Sequence, residues 1–275
     1  MTILQALVLG IVQGLTELLP VSSSAHLNVI PWLLGWTENA AFMNDFSGSF
    51  DVALHFGTLI AICLFFIKDW FILIKAGFKK VFKKEDSVEG KLFGYIVAAT
   101  IPAGVLALVL DKLAEKLIGD NFKLEMGIIA GALFIMGIIL YFVDKKAENK
   151  VKLEEMTFKQ AMLVGLSQAI AAAIPGTSRS GITMTIARAL KIDRESAAKY
   201  SFLLSAPIVA AAVLVNITEF ALTSIPFWIG VAASFVVGLV VIKFLMNYLK
   251  KGSFKIFAIY RIIISIIIVI TLFVK

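Results

Sequence analysis

The chain has 275 residues, 60% of them hydrophobic and 16% charged, with a net charge of +7 and a mean hydropathy of +0.93. A soluble domain is about half apolar and about a quarter charged, so this composition excludes a water-soluble globular fold. The positive balance does not mark a nucleic-acid binder, because the lysines cluster between apolar runs; the one cysteine, Cys63, reads as a small buried hydrophobe and excludes a disulfide framework.

In chain order, residues 1–19 are apolar, carry Glu17, and lack the basic start and small-residue cleavage motif of a leader peptide. They run into Pro20, the tract Val21-Ser22-Ser23-Ser24-Ala25-His26 and a second apolar piece ending at Gly35. Apolar runs at about 49–67, 91–110 and 126–143 then read as full spans, each near the roughly 20 residues a bilayer crossing needs. Residues 158–174 repeat the opening pattern. They run into Pro175, the tract Gly176-Thr177-Ser178-Arg179-Ser180-Gly181 and a second piece ending at Leu190. Three more spans follow at about 197–215, 226–242 and 256–274. All spans are expected to be helical, since lipid offers no partner to open backbone groups. The two broken segments are expected as re-entrant half-helix pairs, tolerated only where protein or a water-filled cavity surrounds the break.

Lysine placement sets the orientation. Residues 68–91, 144–157 and 243–255 hold most of the lysines and read as cytoplasmic loops, whereas 36–48 and 216–225 have no Lys or Arg and read as external. The mixed stretch 111–125 fits an external position between its neighbours. The sequon Asn216-Ile217-Thr218 carries no weight in this setting. The span after each broken segment then crosses in opposite directions. A constant shift of 155 positions superposes Thr2 on Thr157, Gln5 on Gln160, Ala6 on Ala161, Gly10 on Gly165, Gln13 on Gln168, Pro20 on Pro175 and Ser23 on Ser178. The expected fold is therefore an all-α integral membrane protein of two inverted-topology repeats, with six full transmembrane helices and two re-entrant helical hairpins. It forms a single membrane domain over 1–275, with halves at about 1–143 and 158–275.

Ionisable groups inside apolar segments are costly, which makes Glu17, His26 and Arg179 the functional candidates. Gln13 and Glu17 lie four apart on one helix face and could hold Mg²⁺ or Ca²⁺ through oxygen ligands, or form an interhelical hydrogen bond. Ser22, Ser23 and Ser24 offer hydroxyls, with His26 as a base for a serine or itself a phosphoryl acceptor; the serines could equally cap the second half-helix. Arg179 sits between Ser178 and Ser180 at a half-helix start, where backbone N–H groups and a guanidinium bind phosphate oxygens, and Thr183 shares its face. Arg179 paired with Glu17 is compatible with that role. Asp51 and His55 are either supporting groups for the site or a polar packing pair. Arg261 is expected to snorkel to the interface, and Arg188, Lys191, Arg194 and Lys199 to act as cytoplasmic anchors.

These residues carry a resemblance. Gln13-Gly14-Leu15-Thr16-Glu17 through Pro20-Val21-Ser22-Ser23-Ser24-Ala25-His26, with Pro175-Gly176-Thr177-Ser178-Arg179-Ser180-Gly181-Ile182-Thr183, resembles the paired signatures of the undecaprenyl pyrophosphate phosphatases of the bacitracin-resistance (BacA) family. Phe50-Asp51-Val52-Ala53-Leu54-His55-Phe56-Gly57-Thr58 and Ser201-Phe202-Leu203-Leu204-Ser205 are also similar to family segments, and the resemblance covers essentially the whole chain. It implies a metal-dependent hydrolase that removes the terminal phosphate of a polyprenyl diphosphate lipid at the outer side of a bacterial plasma membrane. That activity recycles the carrier lipid for cell-wall synthesis and gives bacitracin resistance. It implies Gln13 and Glu17 with the metal, Glu17, Ser23, His26 and Arg179 in catalysis, and Ser22, Ser24, Ser178, Ser180 and Thr183 on the substrate. Membrane lipids are implied partners, nucleic acid is not, and a homodimer is left open. Ala25 departs from the family's usual glycine; if that position needs a positive φ, alanine strains the turn. Acid-phosphatase-like lipid phosphatases are excluded, since their Lys…Arg-Pro element and second catalytic histidine are missing. A secondary transporter or lipid flippase on the same repeat is the alternative function.

Overall fold

The computed structural model describes residues 1–46, 50–119, 121–216 and 224–274. Residues 47–48 of the 36–48 loop, most of the 216–225 loop, and Ile217 and Thr218 of the sequon lie outside them. The described residues are almost entirely helical. The first break separates α1 (Ile3–Thr16) from α2 (Ser23–Leu33), followed by the short α3 (Ala40–Asp45). Next come α4 (Asp51–Phe65), α5 (Ile67–Lys83), α6 (Val88–Ile118) and α7 (Phe122–Lys146). The second break lies between α8 (Phe158–Leu166) with α9 (Gln168–Ala173) and α10 (Arg179–Ala189). The chain ends with α11 (Arg194–Asn216), α12 (Ile225–Leu249) and α13 (Lys255–Val274).

The helices α6, α7, α11, α12 and α13 are each long and apolar enough to cross a membrane, which makes this a multi-pass membrane protein. The sixth expected span differs. Of the run 49–67, only 15 residues form α4, and the chain bends by 75° into α5 where a cytoplasmic loop was expected. The lysines there lie on a helix, three of them at four-residue spacing, instead of filling a loop. Likewise α6 continues through most of the expected loop 111–125.

Small residues let the broken segments pack closely on full helices. A methyl group at Gly10 of α1 would lie 2.6 Å from the Ala233 Cβ of α12 and 2.9 Å from the Gly230 carbonyl. Gly165 of α8 meets Ala99 of α6 in the same way. At each break the chain returns to the neighbourhood of its own start. The Met1 amino group pairs with the Asp45 carboxylate, so α1 begins beside the segment that follows α2. At the second break, the amides of Lys150 and Val151 donate to the Lys191 carbonyl, and Val151 bridges Ile192, so α8 begins beside the end of α10. In the same loop Glu148 accepts from Lys150 (2.9 Å) and Lys191 (3.1 Å), and these hydrogen bonds hold its carboxyl below the usual range.

Two of the expected cytoplasmic anchors are internal braces. Arg188 is fully buried, with Nε 2.7 Å from Asp144 Oδ1, and Arg194 Nε approaches the same oxygen at 2.8 Å. The Asp144 carboxylate also accepts from the Phe254 amide, which ties α7, α10, α11 and the start of α13 together. The buried Arg188 guanidinium also donates to the carbonyls of Ala147, Glu148 and Ile192, so its donors are paired within the protein. Lys199 pairs with Asp69 on α5 instead of with lipid.

Candidate active site

The two breaks converge, and their local geometry matches. Thr2 and Thr157 each cap their helix in a reciprocal box with Gln5 and Gln160. At the turns the match slips by one residue from the gap-free register. Ser22 and Ser178 are the paired N-caps, with φ/ψ of 75°/98° and 70°/115°, and accept from the Ala25 and Gly181 amides. Their hydroxyls lie 3.2 Å from Ser24 Oγ and 3.3 Å from Ser180 Oγ. Positive φ is rare for serine, and the strain falls on these two caps. Ala25 is an ordinary helical residue inside α2, so alanine there does not strain the turn.

Glu17, buried just past the end of α1, is the centre of the site. Its Oε1 lies 2.6 Å from an Arg179 guanidinium nitrogen across the two breaks. Its Oε2 accepts from Ser23 Oγ at 2.5 Å and from Gln13 Nε2 at 3.4 Å. His55 Nε2 of α4 stands 3.7 Å from the same oxygen, and its Nδ1 faces Asp51, 3.0 Å from the backbone carbonyl and 3.5 Å from the carboxylate. Thus Asp51 and His55 form an approach to Glu17 rather than an isolated packing pair. Ser180 Oγ bonds the backbone carbonyls of Glu17 and Leu19 at 3.1 Å each, fastening the second turn to the first.

A cavity of about 300 Å³ opens at this junction. Its polar lining is Glu17, Ser22, Ser23, Ser24, His55, Gln168, Ser178, Arg179 and Ser180, and its apolar lining is Ala107, Ala171, Ala172, Ile208, Val209 and Ala212. The N-termini of α2 and α10 both end at the polar part, where free helix amides and the Arg179 guanidinium suit an anion. Among the described residues Arg179 spends one hydrogen bond on protein, leaving donors for a ligand. Gln13 and Gln168, which correspond in the two segments, are both buried, and each leaves its Oε1 without a donor among the described residues. A buried carboxylate with an orphaned amide oxygen beside it is the oxygen-rich setting a hard cation takes. Among the described residues no cluster of three or more His, Cys, Asp or Glu groups is placed to hold a metal, so amide, hydroxyl or ligand oxygens would have to complete such a site.

Two candidate residues lie elsewhere. His26 turns away from the cavity. Its Nδ1 is 2.7 Å from the Ser22 carbonyl, its Nε2 is 2.8 Å from Tyr260 Oη, and its ring stacks on Tyr260. The partner of Ser23 is therefore Glu17, not the histidine three residues on. Thr183 is buried against Ser201 Oγ at 2.7 Å and does not line the cavity.

Arg261 also departs from its expected place. It does not snorkel; it is fully buried and bonds the carbonyls of Pro20 (3.2 Å), Gly176 (3.1 Å) and Thr177 (2.8 Å), with Leu133 at 3.5 Å. Gly176 has φ of 88°, and a side chain there would meet the Ile129 backbone, so only glycine lets this turn close beneath the guanidinium. The cost of an arginine in an apolar helix was the available signal. Its place near the start of α13 made an interfacial position the simpler expectation.

The chain matches the family described as "Bacitracin resistance protein BacA" over residues 6–267. It is 44% identical over 272 residues to the undecaprenyl-diphosphatase of Caldicellulosiruptor bescii, covering 98% of this chain and 97% of that protein. It is 43% identical over 276 residues to the undecaprenyl-diphosphatase of Gemmatimonas aurantiaca (99% and 98% covered) and 39% identical over 278 residues to that of Elusimicrobium minutum (100% of each).

Replacing Arg261 tests whether the turns depend on it. Arg261→Met strands the carbonyls it holds, at about 1–3 kcal/mol for each group left unpaired. A marked fall in melting temperature in detergent is expected, with Arg261→Lys intermediate because an ammonium cannot fork across both turns. Unchanged melting of Arg261→Met would remove it from this role.

Proposed function

The chain belongs to the BacA family over nearly its whole length, and from that premise we propose how its cavity carries out the family's chemistry. The protein is an undecaprenyl-diphosphate phosphatase, a multi-pass membrane hydrolase acting on a lipid diphosphate. The observation that carries the site assignment is Glu17, bonded at once to Ser23 and Arg179 in a cavity lined by both polar and apolar residues. The diphosphate lies against Arg179, the two helix N-termini and the hydroxyls of Ser22, Ser24, Ser178 and Ser180. The prenyl chain leaves along the small-residue wall of Ala107, Ala171 and Ala172.

Ser23 Oγ attacks the terminal phosphorus. Its proton passes to Glu17 Oε2, and the bond from that phosphorus to the bridging oxygen breaks. Undecaprenyl phosphate leaves, and water then cleaves the phosphoserine to release inorganic phosphate. Arg179 neutralises the charge that builds on the phosphoryl oxygens. Glu17 and Gln13 are the residues that would hold a Mg²⁺ or Ca²⁺ ion, which when bound supplies further neutralisation of phosphate charge. His26, held by Tyr260 and holding the Ser22 carbonyl, keeps the strained cap in place, and Thr183 acts through Ser201 to seat α10.

Residues 1–143 and 158–275 are the two inverted halves of one membrane domain. The paired capping boxes, the paired serine caps and the matching glycine approaches on α12 and α6 support this reading. The lysine-rich side is cytoplasmic. The cavity opens outward, since His55 and Asp51 sit at the end of α4 away from that side. A cavity between two such halves also suits a lipid flippase or secondary transporter.

Three measurements test these readings. In a Cys63→Ala background, Asn39→Cys is expected to label from outside intact cells, while Ser87→Cys and Asn149→Cys label only after permeabilisation. Labelling of positions 39 and 87 from the same side would break the inverted arrangement. Purified protein in detergent, with no membrane or gradient, is expected to release phosphate from undecaprenyl diphosphate and to stop in excess chelator. Gradient-dependent lipid movement without phosphate release would favour the transporter, and full activity in chelator would remove the metal. Ser23→Ala is expected to lose at least about a hundredfold in rate while staying folded, a loss of the size seen for groups acting at the transition state. A rate above about a tenth of wild type would end serine catalysis.

A further inference from the structure

The helix α5 has three faces. Leu73 and Gly77 are buried, with Gly77 packed against Phe93 of α6. A second face carries Phe71, Phe78 and Phe82, which are 69%, 59% and 76% exposed. Next to it, Lys75, Lys79 and Lys83 follow one another at four-residue spacing, and the two rows border a groove of about 540 Å³. Lys79 pairs with Glu85 at 2.8 Å, a carboxylate whose field Lys83 shares, whereas Lys75 makes no ion pair among the described residues. A helix with this many lysines does not cross a bilayer, and a helix exposing this phenylalanine row does not face water. The 75° bend from α4 fits a third placement, in the plane of the interface.

We propose that this groove binds an anionic glycerophospholipid of the leaflet on the lysine-rich side, with an acyl chain along the phenylalanine row and the headgroup phosphate on the lysine row. A zwitterionic lipid would satisfy the apolar row but leave the lysines without net compensation. Juxtamembrane lysines are drawn to anionic headgroups within a Debye length, and the attraction adds residue by residue. A lipid held there pins the end of α4 opposite His55.

The test uses the full chain, stripped of lipid in detergent and titrated with phosphatidylglycerol or phosphatidylcholine, with bound lipid counted by native mass spectrometry. Phosphatidylglycerol is expected to bind at least about tenfold tighter, in line with the attraction of several lysines to anionic headgroups. The K75Q/K83Q variant is expected to lose that preference, with melting in lipid-free detergent and phosphate release unchanged. Excess glycerol phosphate is expected not to compete. Equal binding of the two lipids, an unchanged preference in K75Q/K83Q, or displacement by glycerol phosphate would overturn the proposal. So would an F71S/F78S variant that changes the protein's self-association and leaves its lipid count alone.

Discussion

A helix broken inside a membrane releases backbone groups that water cannot reach, and each one left unpaired costs several kcal/mol. This chain breaks two helices at the same place, and one guanidinium answers for both. Arg261, fully buried on the last helix, bonds carbonyls of the first turn at Pro20 and of the second at Gly176 and Thr177. Ser180 adds bonds from the second turn to the carbonyls of Glu17 and Leu19, and Ser22 and Ser178 cap the half-helices that leave. The two turns are thereby one rigid unit. That rigidity lets Glu17 and Arg179, which are 162 residues apart in sequence, meet at 2.6 Å.

The near-symmetry of the two breaks throws their chemical differences into relief. Gln13 and Gln168 correspond, and so do the capping boxes and the serine caps. Where the first segment has Glu17, the same register in the second has Ala172, which lines the apolar part of the cavity. The first half supplies the carboxylate, and the second supplies the Arg179 guanidinium together with hydrocarbon at the position that matches Glu17. An amphiphile with a diphosphate at one end and a long isoprenoid at the other matches that division, whereas a symmetric site would not.

Much of this was legible in the residues. The apolar runs, the two proline-marked breaks and the lysine clusters between the runs follow from transfer energetics that act residue by residue, so they can be read one segment at a time. Glu17 and Arg179 stood out because charge in an apolar run is costly. What could not be read was partnership. Ser23 is three residues from His26, yet its hydroxyl meets Glu17, because the helical turn sends His26 to the face where Tyr260 stands. The capping position with positive φ is Ser22, one residue off the gap-free register, since an added residue in the second turn is invisible to an ungapped comparison. The helix α5 read as a loop because its lysines outweigh its phenylalanines in composition, although their spacing sorts them into two adjacent rows. Arg188 and Arg261 looked interfacial by position, and only the folded chain supplies the Asp144 carboxylate and the turn carbonyls that make burial affordable.

The account depends on Glu17 and Arg179 acting as a working pair and not merely as a structural tie. The direct measurement is phosphate release and melting temperature, side by side, for Arg179→Lys, Arg179→Ala and the Glu17→Gln/Arg179→Gln double variant. A planar guanidinium grips phosphate oxygens in a fork that an ammonium cannot reproduce. Arg179→Lys should therefore melt like wild type yet lose most of its activity, and neither of the other variants should turn over. Near-normal turnover by Arg179→Lys, or recovery of both stability and activity in the double variant, would show that the pair only holds the two turns together.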